Sequence, residues 1–310
     1  MISISTSFLS SLIRDGEALV ECLLNLQIDG IELEYRISAA MLAQMRPAMK
    51  KSDLNVVSIH NYFPIPLFTP PVEGSGDLFL LSALDAEERQ QAVHWSQRTI
   101  EHANDLEAPV VILHCGRTIN SPELEKLYGF YNNGQIDSAD AQVFLQRKFN
   151  KRDQVIPGHL DALLFSLDRL IRYAEKQGVT LGLENRYHYH ELPTLPAMQT
   201  LLSEFKGGPI GYWHDTGHAH ANEVLGFIEP GALLQEFGTV LVGMHWHDAI
   251  GLEDHLAPGE GEVEFGALEP YIKDDLPIVM ELKPGTSEGK VQAGIEFIRD
   301  QLLLASKRHK

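Results

Sequence analysis

Histidines and carboxylates recur where short apolar segments of this chain end. The chain has 310 residues, 14 of them histidine, so scattered histidines alone would need no explanation. Many of these, however, close a predicted strand or lie in the loop directly after one, which is where a parallel barrel builds its active site. Nine residues share this placement: His60, His114, Glu184, Asp215, His218, His245, His247, His255 and Glu281. Their types form a nearly complete set of metal ligands.

Four of the nine come from successive strand ends late in the chain. Three carboxylates and one imidazole form a mixed oxygen and nitrogen shell, which suits Mn, Mg, Co or Zn. Buried carboxylates without partners are costly, so a divalent cation is their natural counter-charge. One strand-end acid would indicate an ordinary salt bridge, whereas four in order favour a metal. The predicted ligands are Glu184, Asp215, His245 and Glu281, with His247 as a rival to His245.

Short apolar runs alternate with long amphipathic segments, which is typical of βα units around a parallel sheet. The predicted strands are 2–5, 30–34, 55–60, 109–114, 180–184, 210–215, 240–247 and 277–281. The predicted helices are 14–26, 39–50, 85–103, 160–176, 195–205, 231–237, 265–272 and 289–304. This strict alternation predicts the α/β class and a (β/α)8 TIM barrel, with residues 1–310 as a single domain.

All the long predicted loops follow strands. They cover 61–84, 115–158 and 249–264, and the second contains short helical pieces around 122–128 and 139–148. Long loops on one face are expected where a barrel binds a ligand. Period-two alternation along the strands also allows the strand-end ligands to point into the barrel together. We therefore expect one converging site at this face.

Composition narrows the functional classes. The net charge of −18 disfavours a protein that binds nucleic acid through a broad basic surface. The two cysteines, Cys22 and Cys115, do not suggest a disulfide framework, and the first residues do not resemble a signal peptide. No apolar stretch approaches the roughly 20 residues that span a membrane. We expect a cytoplasmic protein that does not associate with membranes.

Four further residues have two interpretations each. Glu32 and Glu34 share a face of the second strand and could reach the site, although a structural ion pair is the favoured interpretation. Cys115 follows a predicted ligand, but strand alternation turns it toward the helices as a packed thiol. Lys283, two residues past Glu281, would neutralise an enediolate or a phosphate, or would be an ordinary solvated lysine.

Strands five to eight end in distinctive segments: Leu183-Glu184-Asn185-Arg186, His214-Asp215-Thr216-Gly217-His218-Ala219, Gly243-Met244-His245-Trp246-His247-Asp248 and Met280-Glu281-Leu282-Lys283. With these segments the whole chain resembles the xylose isomerase-like barrel superfamily, which includes sugar isomerases, epimerases and the endonuclease IV family. In members similar to this chain, the corresponding four residues hold one divalent metal. The resemblance implies that role for Glu184, Asp215, His245 and Glu281.

The remaining histidines distinguish the two branches of that superfamily. In the isomerase branch, the residues that match His218 and His255 contact the substrate. In the endonuclease branch they bind further metal ions, and His60 and His114 match two more zinc ligands. Glu253 or Asp254 would then supply the remaining aspartate of that trinuclear pattern.

The segment after the fifth strand is similar to that of ketose epimerases. Its Arg186 and His188, together with Lys283, are the predicted substrate-binding residues, because polar and aromatic groups suit a sugar-sized ligand. We expect a divalent-metal-dependent isomerase or epimerase that acts on a small sugar or sugar phosphate, with Glu184 and Glu281 transferring the proton through an enediolate. The alternative is an endonuclease IV-like multi-zinc phosphodiesterase that acts on abasic DNA. Related barrels often pair, so a homodimer is expected.

Overall fold

Eight parallel strands close into a barrel in the computed structural model of the chain, which describes residues 2–52, 54–118 and 122–308. The barrel strands are β1 Ile2–Ser5, β2 Gly30–Leu33, β3 Asn55–His60, β4 Val110–Leu113, β5 Thr180–Glu184, β6 Ile210–Asp215, β7 Leu241–Trp246 and β10 Ile278–Met280. Two further strands, β8 Asp248–Ile250 and β9 Glu253–Leu256, form a separate small sheet. The closed order is β1-β10-β7-β6-β5-β4-β3-β2. The predicted (β/α)8 barrel is confirmed, and its strands begin and end within one residue of the predictions.

Helices surround the barrel. They are α1 Ser7–Ser10, α2 Gly16–Leu24, α3 Ala39–Ser52, α4 Ala86–Asp105, α5 Leu124–Asn132, α6 Ala139–Gln177, α7 Leu195–Glu204, α8 Thr216–Val224, α9 Ala232–Phe237 and α10 Glu288–Arg308. Outward residues of the strands, such as Ile4, Ile31 and Leu183, pack under these helices in the main core. Cys115 is fully buried in the same core, as predicted. Within the described residues, no helix combines the length and apolarity that crossing a membrane requires.

The predicted start of a helix at residue 160 is wrong, because α6 runs without interruption through 39 residues and contains Pro157. The Ser138 side chain caps its first turn, and Gly178 at φ 67° ends it. An interior proline costs about 3 kcal/mol. Both halves of α6 nevertheless bury apolar residues, with Phe144 in a second cluster and Leu167 in the main core, and this burial offsets that cost. The predicted loop 115–158 is therefore largely helical, and its residues 119–121 lie outside the described ranges.

Three local elements after the fifth strand also differ from the prediction. The loop 249–264 contains the antiparallel hairpin of β8 and β9. The predicted helix at 265–272 is a 3-10 helix, Phe265–Tyr271, which contains Pro270 and so lacks one backbone donor. The helix α8 was not predicted, although Asp215 caps it by accepting a hydrogen bond from the backbone N–H of His218.

Inward side chains fill the barrel below the strand ends. Trp213 is the largest of them, and its ring edge contacts the His245 ring at a centroid distance of 5.1 Å. Gly243 makes room for it, since a Cβ at that position would lie 2.0 Å from Cζ3 of Trp213. This inner cluster consists of Val57, Val110, Ile112, Trp213 and Val279. It forms a closed apolar floor beneath the strand-end residues.

Replacing Gly243 with alanine should destabilise the protein, because the added methyl group meets a buried and enclosed indole. Overpacking of this kind costs roughly 1–3 kcal/mol. Gly129→Ala is the matched control: it lies in α5 with open space around its Cβ position, and helix propensity favours alanine there by up to about 1 kcal/mol. Urea unfolding should show a loss for Gly243→Ala and none for Gly129→Ala. Equal free energies of unfolding for the Gly243 variant and the parent would contradict the filled floor.

Candidate metal centre and active site

A cavity of about 400 Å³ opens at the C-terminal ends of the strands. It is lined by Tyr35, His60, His114, Glu184, Arg186, Tyr187, His188, Glu191, His218, Asp254, His255 and Glu281. Eight of the predicted site residues are therefore in its wall. Asp215, His245 and His247 lie fully buried directly beneath it. Lys283 is not part of this arrangement: it is exposed and pairs with Glu253 at 2.5 Å.

The four predicted metal ligands meet around one nitrogen atom. Nδ1 of His245 lies 2.9 Å from Oε1 of Glu184, 3.1 Å from Oε2 of Glu281 and 3.5 Å from Oδ2 of Asp215. One ligand atom from each of the four residues lies within 4.8 Å of the others. Glu184, Asp215 and His245 belong to the ends of β5, β6 and β7, and Glu281 directly follows β10. Four adjacent barrel strands thus contribute one residue each.

The charges of this cluster are strongly coupled. Burial would raise the pKa of Glu184, but the nearby His114 and hydrogen bonds from the surrounding histidines hold that pKa well below its ordinary value. Burial would lower the pKa of His245, but the carboxylates of Glu281 and Glu32 raise it well above its ordinary value. His245 and His255 likewise lower the pKa of Glu281 against the effect of its burial. The carboxylates are thus held ionised.

This donor set fits a divalent cation. Oε2 of Glu184 is buried and has no hydrogen-bond partner among the described residues, although Nε2 of His114 lies 2.8 Å away at ion-pair distance. Three ionised carboxylates converge within a few ångströms, and a hard cation accepts their oxygens together with one imidazole nitrogen. The residues present therefore match the chemistry of such a site.

His247 has a different environment from His245. Its Nδ1 accepts a hydrogen bond from the backbone N–H of His255 at 2.9 Å, which places the ring hydrogen on Nε2. That Nε2–H faces both carboxylate oxygens of Asp215 at 2.9 Å. Both ring nitrogens are therefore engaged within the protein. His247 does belong to one group with metal-ligand spacing, together with His255 and Glu281. The group that contains the three carboxylates of Glu184, Asp215 and Glu281 has His245 instead.

His60 and His218 present nitrogen lone pairs near the cavity. Nδ1 of His60 lies 2.9 Å from the carbonyl of Asn61, and Nδ1 of His218 lies 3.0 Å from the carbonyl of Asn185. A carbonyl can only accept, so each Nδ1 is the donor, and the lone pair of a singly protonated ring is on Nε2. These side chains can accept hydrogen bonds from hydroxyl groups or ligate a metal.

Two more groups have spacing suitable for a metal. His60, His114 and Glu184 form one, and His218, Asp254 and His255 form the other. Asp254 rather than Glu253 is near the cavity, because Glu253 faces Lys283 instead. The remaining predicted residues, Arg186 and His188, share the acidic partner Glu191 at 3.4 and 3.1 Å.

Several wall residues were not predicted from the sequence. Tyr35 comes just after β2 and could have been found by the same strand-end signal. Asp77 comes from the long loop 61–84 and lies 2.8 Å from Arg186 and 3.3 Å from His114. Nothing periodic marks Asp77 in a stretch rich in glycine and proline. Glu191 is placed by its ion pair with Arg186, and no local sequence pattern predicts that contact.

Comparison with known proteins gives one family. A family profile described as "Xylose isomerase-like TIM barrel" matches residues 23–301. A search of curated proteins finds no significant match. Among solved structures, a D-tagatose 3-epimerase-like protein is 20% identical over 100% of this chain and 99% of its own, with a TM-score of 0.69.

Two other solved structures have similar folds. D-psicose 3-epimerase from Clostridium cellulolyticum H10 is 14% identical over 97% of this chain and 99% of its own, with a TM-score of 0.67. A 3-keto-D-glucoside 4-epimerase from E. coli is 15% identical over 97% and 98%, with a TM-score of 0.66. At these identities the likeness shows the barrel fold.

Acidification should destabilise the protein partly through His190, which follows Arg186 and His188 in the chain. Burial lowers the pKa of His190 to about 4, from an ordinary value of 6.5. The associated stability is present above pH 6.5, and it is lost as pH falls toward 4, because the unfolded chain takes up the proton first. His190→Gln should therefore reduce the pH dependence of stability between 6.5 and 4. Urea unfolding at several pH values measures this.

The matched control is His94→Gln, which removes an exposed imidazole from α4. It should leave the slope of stability against pH as in the parent. An unchanged slope for His190→Gln would show that the buried imidazole does not contribute.

Proposed function

The chain belongs to the xylose isomerase-like TIM barrel family, and on that premise we propose that it is a divalent-metal-dependent isomerase or epimerase of a small sugar. The observation that carries the proposal is the convergence of Glu184, Asp215 and Glu281 on Nδ1 of His245 at the base of one cavity. The solved structures named above as sugar epimerases share the fold and support the same reaction class.

Glu184, Asp215, His245 and Glu281 would hold the metal. The chemistry supplied by a divalent metal in that place is polarisation of the carbonyl and hydroxyl of a hydroxy-ketone or hydroxy-aldehyde, which acidifies the adjacent C–H. Manganese, magnesium, cobalt and zinc all suit this shell of three carboxylates and one imidazole.

Glu184 and Glu281 are the residues proposed to move the proton. Their lowered pKa values keep both ionised at neutral pH, so either can act as a base. One carboxylate takes the proton from carbon, the C–H electron pair forms the new C=C bond, and the carbonyl π pair moves to oxygen to give the enediolate. The other carboxylate takes up a proton from solvent and returns it to carbon, and the first then releases its proton to solvent. Return to the opposite face of the same carbon gives epimerisation, and return to the neighbouring carbon gives isomerisation.

The upper wall of the cavity suits a polyhydroxylated ligand. Nε2 of His60 and of His218 can accept hydrogen bonds from hydroxyl groups, and the buried Nε and Nη1 of Arg186 have no hydrogen-bond partner in the part of the chain that the structure describes. His188 and Tyr187 contribute further polar groups at the rim. A volume of about 400 Å³ lies within the range of small-molecule sites, roughly 300–1,000 Å³. The substrate we propose is a sugar or sugar phosphate.

The two additional histidine groups favour a second candidate, a multi-zinc phosphodiesterase similar to endonuclease IV. His60 with His114 and Glu184, and His218 with Asp254 and His255, have spacing suitable for further metal ions. Paired metals about 3.5–4 Å apart stabilise attacking and leaving oxygens in phosphodiester cleavage. The acidic net charge of −18 weighs against a broad nucleic-acid surface.

Metal content should separate the two candidates. Protein purified without chelator should contain close to one manganese, magnesium, cobalt or zinc per chain by elemental analysis. The physical reason is that one carboxylate-rich group is complete, whereas the flanking groups contain only three residues each. Near three zinc ions per chain, together with cleavage of DNA that contains an abasic site, would overturn the isomerase proposal.

Solvent deuterium should enter the substrate at carbon when the metal-loaded protein is mixed with a panel of ketoses and ketose phosphates. Glu184→Gln and Glu281→Gln should each lower the exchange rate by about 10²–10⁴-fold, because each removes a proton-transfer group. Mass spectrometry and NMR of the sugars measure exchange and stereochemistry. The matched control is Lys290→Met, an exposed lysine on α10 that pairs with Glu260. Exchange that persists in both glutamine variants would remove these residues from the proton transfer.

A further inference from the structure

A fourth carboxylate lies inside the barrel beneath the proposed metal ligands. Glu32 is on β2, next to Ser5 in the β1–β2 register, and is completely buried. Its Oε2 accepts a hydrogen bond from Oγ of Ser58 at 2.7 Å and lies 3.0 Å from Nε2 of His245. Its Oε1 has no hydrogen-bond partner within the described residues. Glu32 is not among the residues that line the cavity.

The contact with Glu32 engages one ring nitrogen of His245 and leaves the other for a metal. The carboxylate accepts from Nε2–H, so when a metal takes the lone pair of Nδ1 the one remaining ring hydrogen is on Nε2, which faces Glu32. Nδ1 is also the atom that lies 2.9–3.1 Å from Glu184 and Glu281. The ring is thus held from below in the tautomer and the orientation that a metal above it requires.

Packing limits the other movements of the ring. Trp213 contacts one edge of the imidazole, and His60 is stacked nearly parallel to it at a centroid distance of 6.2 Å. Ser58 in turn keeps the Glu32 carboxylate turned toward Nε2. An ion pair with only a structural role would not need the Glu32 carboxylate to be aligned with Nε2 of His245, because the Glu32 side chain could pair with a positive charge in several rotamers.

We propose that Glu32 is a positioning residue that sets the tautomer of His245 and strengthens Nδ1 as a metal ligand. This inference rests on the proposed function, since it assigns Glu32 a part in the same metal centre. A carboxylate behind a metal-binding histidine raises the basicity of the ligand and restricts its rotation, and removing such a partner costs about 10–100-fold in metal affinity.

Zinc affinity of the full chain provides the test. Metal-free parent, Glu32→Gln and Glu34→Gln are titrated with zinc ions alone against a chromophoric chelator, after circular dichroism has shown that each is folded. Glu32→Gln should bind zinc about 10–100-fold more weakly, because the amide can donate as well as accept and no longer selects one tautomer. Glu34→Gln is the matched control: it also removes a buried carboxylate, but one that pairs with Arg36 and Ser10.

Proton NMR of the zinc-loaded protein gives a second readout that a purely structural role would not change. The Nε2–H of His245 should give a downfield signal in the parent and in Glu34→Gln, and this signal should move upfield in Glu32→Gln. If Glu32→Gln does not fold, Ser58→Ala replaces it, with weaker zinc binding and the same upfield shift expected.

The possible failures can be told apart. A parent protein that binds no zinc would overturn both this inference and the metal-dependent function. A parent that binds zinc, with affinity and NMR signal unchanged in Glu32→Gln or its Ser58 substitute, would overturn the positioning role alone.

Discussion

The concentration of negative charge around His245 is the constraint on which the site depends. Glu184, Asp215 and Glu281 approach its Nδ1 from above, and Glu32 approaches its Nε2 from below. All four carboxylates are buried, and like charges at such separations repel strongly where water is excluded. A barrel can sustain this arrangement because each residue comes from a different strand, so the backbone rather than any local attraction brings the charges together.

The surrounding polar residues follow from that constraint. Arg186 lies within ion-pair distance of Glu184, at 3.8 Å, and of Asp77, at 2.8 Å. Asp77 belongs to the loop 61–84, whereas Arg186 follows β5, so one guanidinium joins two segments above the barrel. Glu191 contacts the same guanidinium and His188. Charge pairing thus holds these loops in place, and the cavity wall is polar because its residues also compensate the charges beneath it.

Most of the barrel could be predicted from the sequence because its signals are local. Apolar runs mark the strands, and the residues that end them, such as His114 and Asp215, need only the parallel topology to converge. Lys283 shows the limit of this reasoning, since its position after Glu281 is right for the site but its side chain turns outward to Glu253. The ion-pair partner of Glu32 could not be predicted for a related reason. Its partner His245 is 213 residues away, and no local pattern reports that contact.

The geometry allows roles other than metal binding for the histidines that resemble the zinc ligands of multi-zinc phosphodiesterases. His114 has carboxylates at both ring nitrogens, Glu184 at 2.8 Å from Nε2 and Asp77 at 3.3 Å from Nδ1. Burial and Arg186 would lower the pKa of His114, but the carboxylates of Asp77 and Glu184 raise it to about 9, so the charged ring stabilises Glu184. His60 and His218 do keep free lone pairs, but a sugar hydroxyl can use them as readily as zinc can. Ligand types alone therefore do not require three metals here. Among the groups with metal-ligand spacing in the described residues, the group around His245 is the one with four members, all of them buried.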